Sequence, residues 1–193
     1  MPPAVIIGTY IGESSSDGGY LSFVKWPHTP RVLVYRIQDN LPHWPFFGNP
    51  RAAIRRAAEK WNAVLAPVLV LKEATDKDVP ADIDIEVTKA NLFRIGSGDL
   101  GFTELDYDPK SPVQDIVHVK CRVRQLITQL FNGTSTEAVA LHELGHALGN
   151  RGHVRSDSIM TSRVPRKAEL TTRDIATVRY RYGLPRIEGG SGP

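Results

Sequence analysis

At 193 residues the chain is long enough to bury one sizeable core without covalent staples. Hydrophobic content of 41% and charged content of 23% are those of an ordinary globular protein, and a single cysteine, Cys121, excludes a disulfide scaffold. The net charge of +3 comes from scattered basic residues, which argues against a nucleic-acid partner, and no apolar run approaches membrane-spanning length.

Residues 1–30 are rich in Gly, Ser and Pro and read as an irregular lead-in that could cover a cleft, with one short strand at 4–10. The start lacks the basic residues and long apolar core of a secretion signal. That predicts a protein not exported by that route, or one whose signal is not part of this sequence. Residues 31–37, RVLVYRI, have the β-branched and aromatic content of a strand. A proline-rich connection at 41–50 follows, and Asn49-Pro50 then starts a helix over 51–65, Asn as cap and Pro in the first turn. Ile54, Ala57, Ala58, Trp61 and Leu65 recur along it at helical spacing. Strands are predicted at 68–72 and 83–87, a glycine-rich loop at 96–101, and two further strands at 102–107 and 115–120. Thr134-Ser135-Thr136-Glu137 is a capping-box pattern before an Ala/Leu-rich helix that Gly149 ends. A last helix runs over 171–182, stopped by Gly183 and Pro185. The order predicts an α+β fold: a twisted mixed sheet of about five strands, one crossover helix and two helices at the end. One domain is expected over 31–185, followed by a frayed tail at 186–193.

The stretch 141–160, LHELGHALGNRGHVRSDSIM, concentrates the chemistry. On a helix His142 and His146 present two imidazoles on one face, close enough to chelate one ion, and zinc is the default metal for such a pair. Glu143 is badly angled for the same chelate but can reach a water beside the metal. Gly149 lets the chain turn back, and His153 then offers a third ligand, with Asp157 as the fallback carboxylate. Three protein ligands would leave a position open, the arrangement of catalytic rather than structural zinc.

HELGHALG followed by His153 and then by Ser-Ile-Met resembles the metzincin clan of zinc metallopeptidases, and within it the matrixin-like catalytic domain. VLVYRIQDNLP, RAAIRRAAEKWNAV, ADIDIEV, GFTELDYDP, DIVHV and LTTRDIATVRYRYG are similar to the family's strands and helices in order. The resemblance implies a metzincin-like fold with a catalytic helix, and a Met-turn at Met160 beneath the metal. It also implies a zinc endopeptidase in which Glu143 is general base and acid. The substrate, a peptide or protein, would add as a strand along residues 101–105, with Gly101, Phe102, Thr103 and Glu104 on that edge. Val164 and Pro165 would wall the primed-side pocket. The alternative is a catalytically silent zinc-holding domain that binds other proteins.

Two features depart from the family pattern. The third histidine usually falls six residues after the second; here that position is Gly152, and His153 is one later. Ser162 stands where some relatives carry an assisting tyrosine. Many relatives are kept latent by a pro-segment cysteine; here Cys121 reads as packing, and Glu13, Asp17 or His28 could cap the metal instead, though a solvated loop is the commoner role for such residues. Asp99, Asp106 and Asp108 could hold calcium, though turn roles are commoner. His43 and His118 are expected to have no metal role, and the family's second, structural zinc site is expected to be missing. The family resemblance suggests a secreted protein, the missing signal a cytoplasmic one, and a monomer is expected.

Overall fold

The computed structural model describes residues 15–16, 24–39, 48–89, 100–125, 134–155 and 157–185. The predicted strand at 4–10, most of the glycine-rich loop, and the tail at 186–193 lie outside these residues.

Five strands and three helices follow the predicted order: β1 (Arg31–Gln38), α1 (Pro50–Leu65), β2 (Leu69–Glu73), β3 (Ile83–Lys89), β4 (Gly101–Tyr107), β5 (Ile116–Gln125), α2 (Thr136–Ala147) and α3 (Thr172–Arg181). The sheet order is β2-β1-β3-β5-β4. β1 pairs in parallel with β2 and β3, and β3 with β5, while β4 runs antiparallel to β5 at the edge. Parallel β1 and β2 require a crossover, and α1 supplies it. Asn49 caps α1, its side chain accepting from the Ala52 amide at 2.9 Å, with Pro50 in the first turn where its missing N–H costs nothing.

Alternation decides the layers. Leu33, Tyr35, Ile37, Leu69, Leu71, Ile83, Ile85, Val87, Val119, Cys121 and Val123 are buried together with Ile54, Trp61, Leu141 and Leu144 of the helices. The other face of the sheet carries exposed residues, among them Val32, Phe102 and Val117. One sheet face is therefore covered by helices and the other meets solvent. α1 packs on β2 and on α2, α2 on β5 and β4, and α3 on α1. β5 runs on to Gln125 beyond the predicted stop at 120, because Arg122 and Arg124 continue the outward alternation while Cys121, Val123 and Gln125 stay buried.

Two residues of the lead-in, Val24 and Trp26, belong to the core. Trp26 donates its indole N–H to the Ala147 carbonyl at 2.9 Å, at the end of α2. The N-terminal segment is thus fastened to the helix that bears the first two histidines.

Candidate metal centre

α2 begins at Ser135, whose side chain accepts from the Ala138 amide at 3.1 Å. The capping box expected from Thr134 to Glu137 does not form. Glu137 turns instead to α1, where it accepts from Arg56 Nε at 2.6 Å and Lys60 Nζ at 2.5 Å. Burial raises the Glu137 pKa, but the bonds and charges of Lys60 and Arg56 outweigh it and hold the carboxyl below its ordinary value.

Near the other end of α2, His142 is buried and His146 half-buried. The two Nε2 atoms face each other at 3.0 Å. His142 Nδ1 is 2.6 Å from the Ile159 carbonyl oxygen, and His146 Nδ1 is 2.5 Å from that of Asn150. A carbonyl can only accept, so each Nδ1 carries the hydrogen, and in a neutral ring each Nε2 is a lone pair. The two Nε2 atoms thus converge, as two ligands of one ion do. Nitrogens about 2.0–2.1 Å from a tetrahedral ion would stand roughly 3.3 Å apart, near the spacing seen.

His153 completes the group. Its ring centroid lies 5.2 Å from that of His142 and 5.1 Å from that of His146. One ligand atom from each of the three histidines falls within 4.8 Å of the others, and this is the one such cluster among the described residues. Asp157 is exposed and does not join it. The donor set is three imidazoles with two tautomers fixed by backbone carbonyls, which suits zinc.

The extra residue in the third-ligand loop is absorbed by bends and pins. Gly149 has φ +94°, and a Cβ there would lie 2.2 Å from the Val24 carbonyl oxygen. Gly152 has φ +78°. Such backbone is cheap only for glycine. Between the two bends, Asn150 is held by Arg181, whose Nη1 donates to its Oδ1 at 2.8 Å and to the Leu148 carbonyl at 3.3 Å. Arg151 lies over the Tyr107 ring at 5.2 Å and donates to Gln114 Oε1 at 2.8 Å. His153 is held by the lead-in: its amide donates to Ser15 Oγ at 3.2 Å, and its carbonyl accepts from the Ser16 amide at 2.8 Å and Ser15 Oγ at 3.0 Å.

Arg181 is fully buried, and burial lowers its pKa to about 10, which still leaves it charged at neutral pH. It sits at the carbonyl end of α2, where the helix dipole favours a cation.

Met160 is buried against α2 at Gly145. A Cβ at Gly145 would fall 2.4 Å from Met160 Sδ and 3.2 Å from the Trp61 ring, so only glycine lets α2 and the turn approach so closely. The turn is fixed by Asp174, the N3 residue of a capping box with Thr171. Fully buried Asp174 accepts from Ser158 Oγ, from the Ile159 amide at 3.3 Å, and from Thr171 N and Oγ1 at 2.8 Å. Ile159 in turn orients His142. The two ends of α3 therefore each stand one residue behind a histidine: Asp174 through Ile159 and Arg181 through Asn150.

Glu143 is buried on the β4 side of α2. Thr103 Oγ1 lies 2.5 Å from Glu143 Oε2, and a Cβ at Gly101 would lie 2.3 Å from Oε1. Of the remaining edge residues, Phe102 and Glu104 are exposed. Val164 is buried, its carbonyl accepting from Thr134 Oγ1 at 3.5 Å, and Pro165 is half-buried. Ser162 is exposed.

The remaining polar candidates have protein partners. His118 Nε2 lies 3.1 Å from Asp84 Oδ2 and its Nδ1 3.5 Å from Asp106 Oδ2. Asp108 accepts from the Lys110 amide at 2.9 Å, as a turn residue does. Cys121 is buried, and burial pushes its thiol up to about 12, so it is packing and not a nucleophile. His28 is exposed and outside the histidine cluster. Glu13, Asp17, His43 and Asp99 lie outside the described residues.

Nothing in the sequence marks out Asp174, Asn150, Arg181 or Ser15 as part of the site. Thr171-x-x-Asp174 is legible as a cap, but nothing local ties it to Ile159. Arg181 reads as one more surface base until its burial is seen.

The comparisons agree with this architecture. A protein of Arabidopsis thaliana named "Metalloendoproteinase 2-MMP" is 27% identical over 187 residues, which cover 88% of this chain and 46% of the relative. The chain thus spans about half the length of that relative. The sequence model of a peptidase family described as Matrixin matches residues 25–183, which takes in all five strands, all three helices and the three histidines. The chain belongs to the matrixin family.

Proposed function

We propose that the chain is a zinc-dependent endopeptidase. The observation that carries this reading is the convergence of His142, His146 and His153, one ligand atom from each within 4.8 Å of the others. In this reading His142, His146 and His153 hold one zinc ion. The ion would supply Lewis-acid polarisation of the scissile carbonyl and a lowered pKa for the attacking water.

The chain's own residues do the rest. The outer edge of β4 takes an extended peptide as an added strand, so that backbone pairing through Gly101, Phe102, Thr103 and Glu104 supplies affinity with little sequence preference. Val164 and Pro165 wall the primed side. Glu143 accepts the proton of the attacking water and passes it to the leaving amine, so the peptide C–N bond breaks as a C–O bond forms. Met160, packed on Gly145, keeps the ligand helix at a fixed height. A catalytically silent zinc-holding domain would have no need of a carboxylate at position 143.

Metal analysis of the purified protein is expected to find one zinc per chain. Casein or a quenched fluorescent peptide is expected to be cleaved, with activity lost to a chelator, restored by zinc, and abolished in Glu143→Ala at unchanged zinc content. Zinc without any cleavage in the wild-type chain would favour the silent domain; absence of zinc would remove both readings.

A further inference from the structure

We propose that Thr103 is a positioning residue for Glu143: its hydroxyl, carried on the strand that takes the substrate, holds the carboxylate in the alignment proton transfer requires. The inference rests on the peptidase reading and goes beyond it, because Thr103 had stood only as a backbone contact on the substrate edge.

Thr103 Oγ1 has one hydrogen and three neighbours. Glu143 Oε2 lies at 2.5 Å, the Glu143 carbonyl oxygen at 3.2 Å and Cys121 Sγ at 3.5 Å. A charged acceptor at the shortest distance takes the hydrogen, and O–H to carboxylate bonds of this length are among the stronger ones. The other carboxylate oxygen needs the room a glycine leaves. Gly101 leaves the space that Oε1 fills, and a Cβ there would stand 2.3 Å from it. Gly101 and Thr103 are two apart on a strand and so face the same side, toward α2. The carboxylate is boxed between a missing side chain and a hydroxyl.

A glutamate has several rotatable bonds, and a misplacement of about 1 Å at a reacting group can cost on the order of 100-fold in rate. Pinning one oxygen on Thr103, with room for the other at Gly101, restricts that freedom. It also places the base against the strand along which a peptide would lie, so one short segment, 101–103, sets both the substrate path and the alignment of the base.

The test is steady-state kinetics on Thr103→Val, which keeps the branched shape and loses the hydroxyl, beside Thr103→Ser, which keeps the hydroxyl. Thr103→Val is expected to lower kcat by roughly 10- to 100-fold with KM changed less than about twofold. Zinc content and thermal midpoint should stay at wild-type values, and Thr103→Ser should recover most of the rate. An unchanged kcat in Thr103→Val overturns the inference, and so does a Thr103→Ser enzyme as slow as the valine variant, because shape rather than the hydroxyl would then matter. An inactive wild-type chain overturns the peptidase reading and this inference together; an active wild type indifferent to Thr103→Val overturns this inference alone.

Discussion

Ser15 grips both backbone polar groups of His153, accepting from its amide at 3.2 Å and donating to its carbonyl at 3.0 Å. A segment far away in sequence thereby stands behind the third ligand. Residues that orient metal ligands typically change affinity by about 10- to 100-fold when removed. Ser15→Ala is expected to weaken zinc binding by roughly 10-fold in a chelator competition, and deletion of residues 1–23 by more. A latency role predicts the opposite. If deletion left zinc affinity intact and raised the rate of peptide cleavage, the segment would be a cover and not a clasp.

α3 offers a second check on the same principle. Asp174→Ala strands the Ser158 hydroxyl, the Ile159 amide and the Thr171 donors in a buried place. A loss of about 3 kcal/mol in urea unfolding is expected, since unmade buried hydrogen bonds cost about 1–3 kcal/mol each. Arg181→Leu is expected to cost less stability but to weaken zinc binding by about 10-fold, because Asn150 loses its anchor while the cavity stays filled. Equal zinc affinity in Arg181→Leu and wild type would show that the Asn150 carbonyl needs no such support.

Gly145→Ala tests the floor of the site. The added methyl meets Met160 Sδ and the Trp61 ring, both buried in the core. Overpacking of this kind destabilises by about 1–3 kcal/mol, which should appear as a lower thermal midpoint. Gly145→Ala combined with Met160→Ala should recover part of the loss. No change in the single variant would mean that α2 can lift off the turn at little cost.

Acid should loosen the seam between α1 and its neighbours. Burial raises the pKa of Glu73, but the hydrogen bonds and charges of Arg55 and Arg51 outweigh it, and the result is a lowered value; the same balance holds at Glu137 with Lys60 and Arg56. A carboxyl lowered on folding contributes stability that is fully present above its unfolded value near 4.5 and lost as pH falls through the folded value. Urea midpoints should therefore hold steady above that pH and fall below it. Glu137→Gln with Glu73→Gln should flatten the fall; a slope unchanged by both substitutions would place the acid-sensitive groups elsewhere.

What the sequence shows of this fold is what has a period or a cap. α1 is legible from Asn49, Pro50 and an apolar stripe, and the histidine pair is legible because chelation from one helix face demands a spacing of four. Family membership rested on the same stretch, and the matched region bears it out. The sequence does not show what depends on closure across the chain. Nothing near Thr103 announces Glu143, and nothing near Arg181 announces Asn150. The capping box expected at Thr134 fails for a similar reason: Ser135 is the cap, and Glu137 pairs with Arg56 and Lys60, two cations on another helix.

The exposed row of β4 has one more consequence. Phe102, Glu104 and Asp106 alternate along an edge whose outer hydrogen-bonding groups face away from β5. An edge strand with no further partner among the described residues can pair with another molecule of the same protein, and such edges seed aggregation. Two copies laid antiparallel would bring their acidic side chains face to face, and like charges opposed across strands repel. The carboxylates thus discourage self-stacking of this strand.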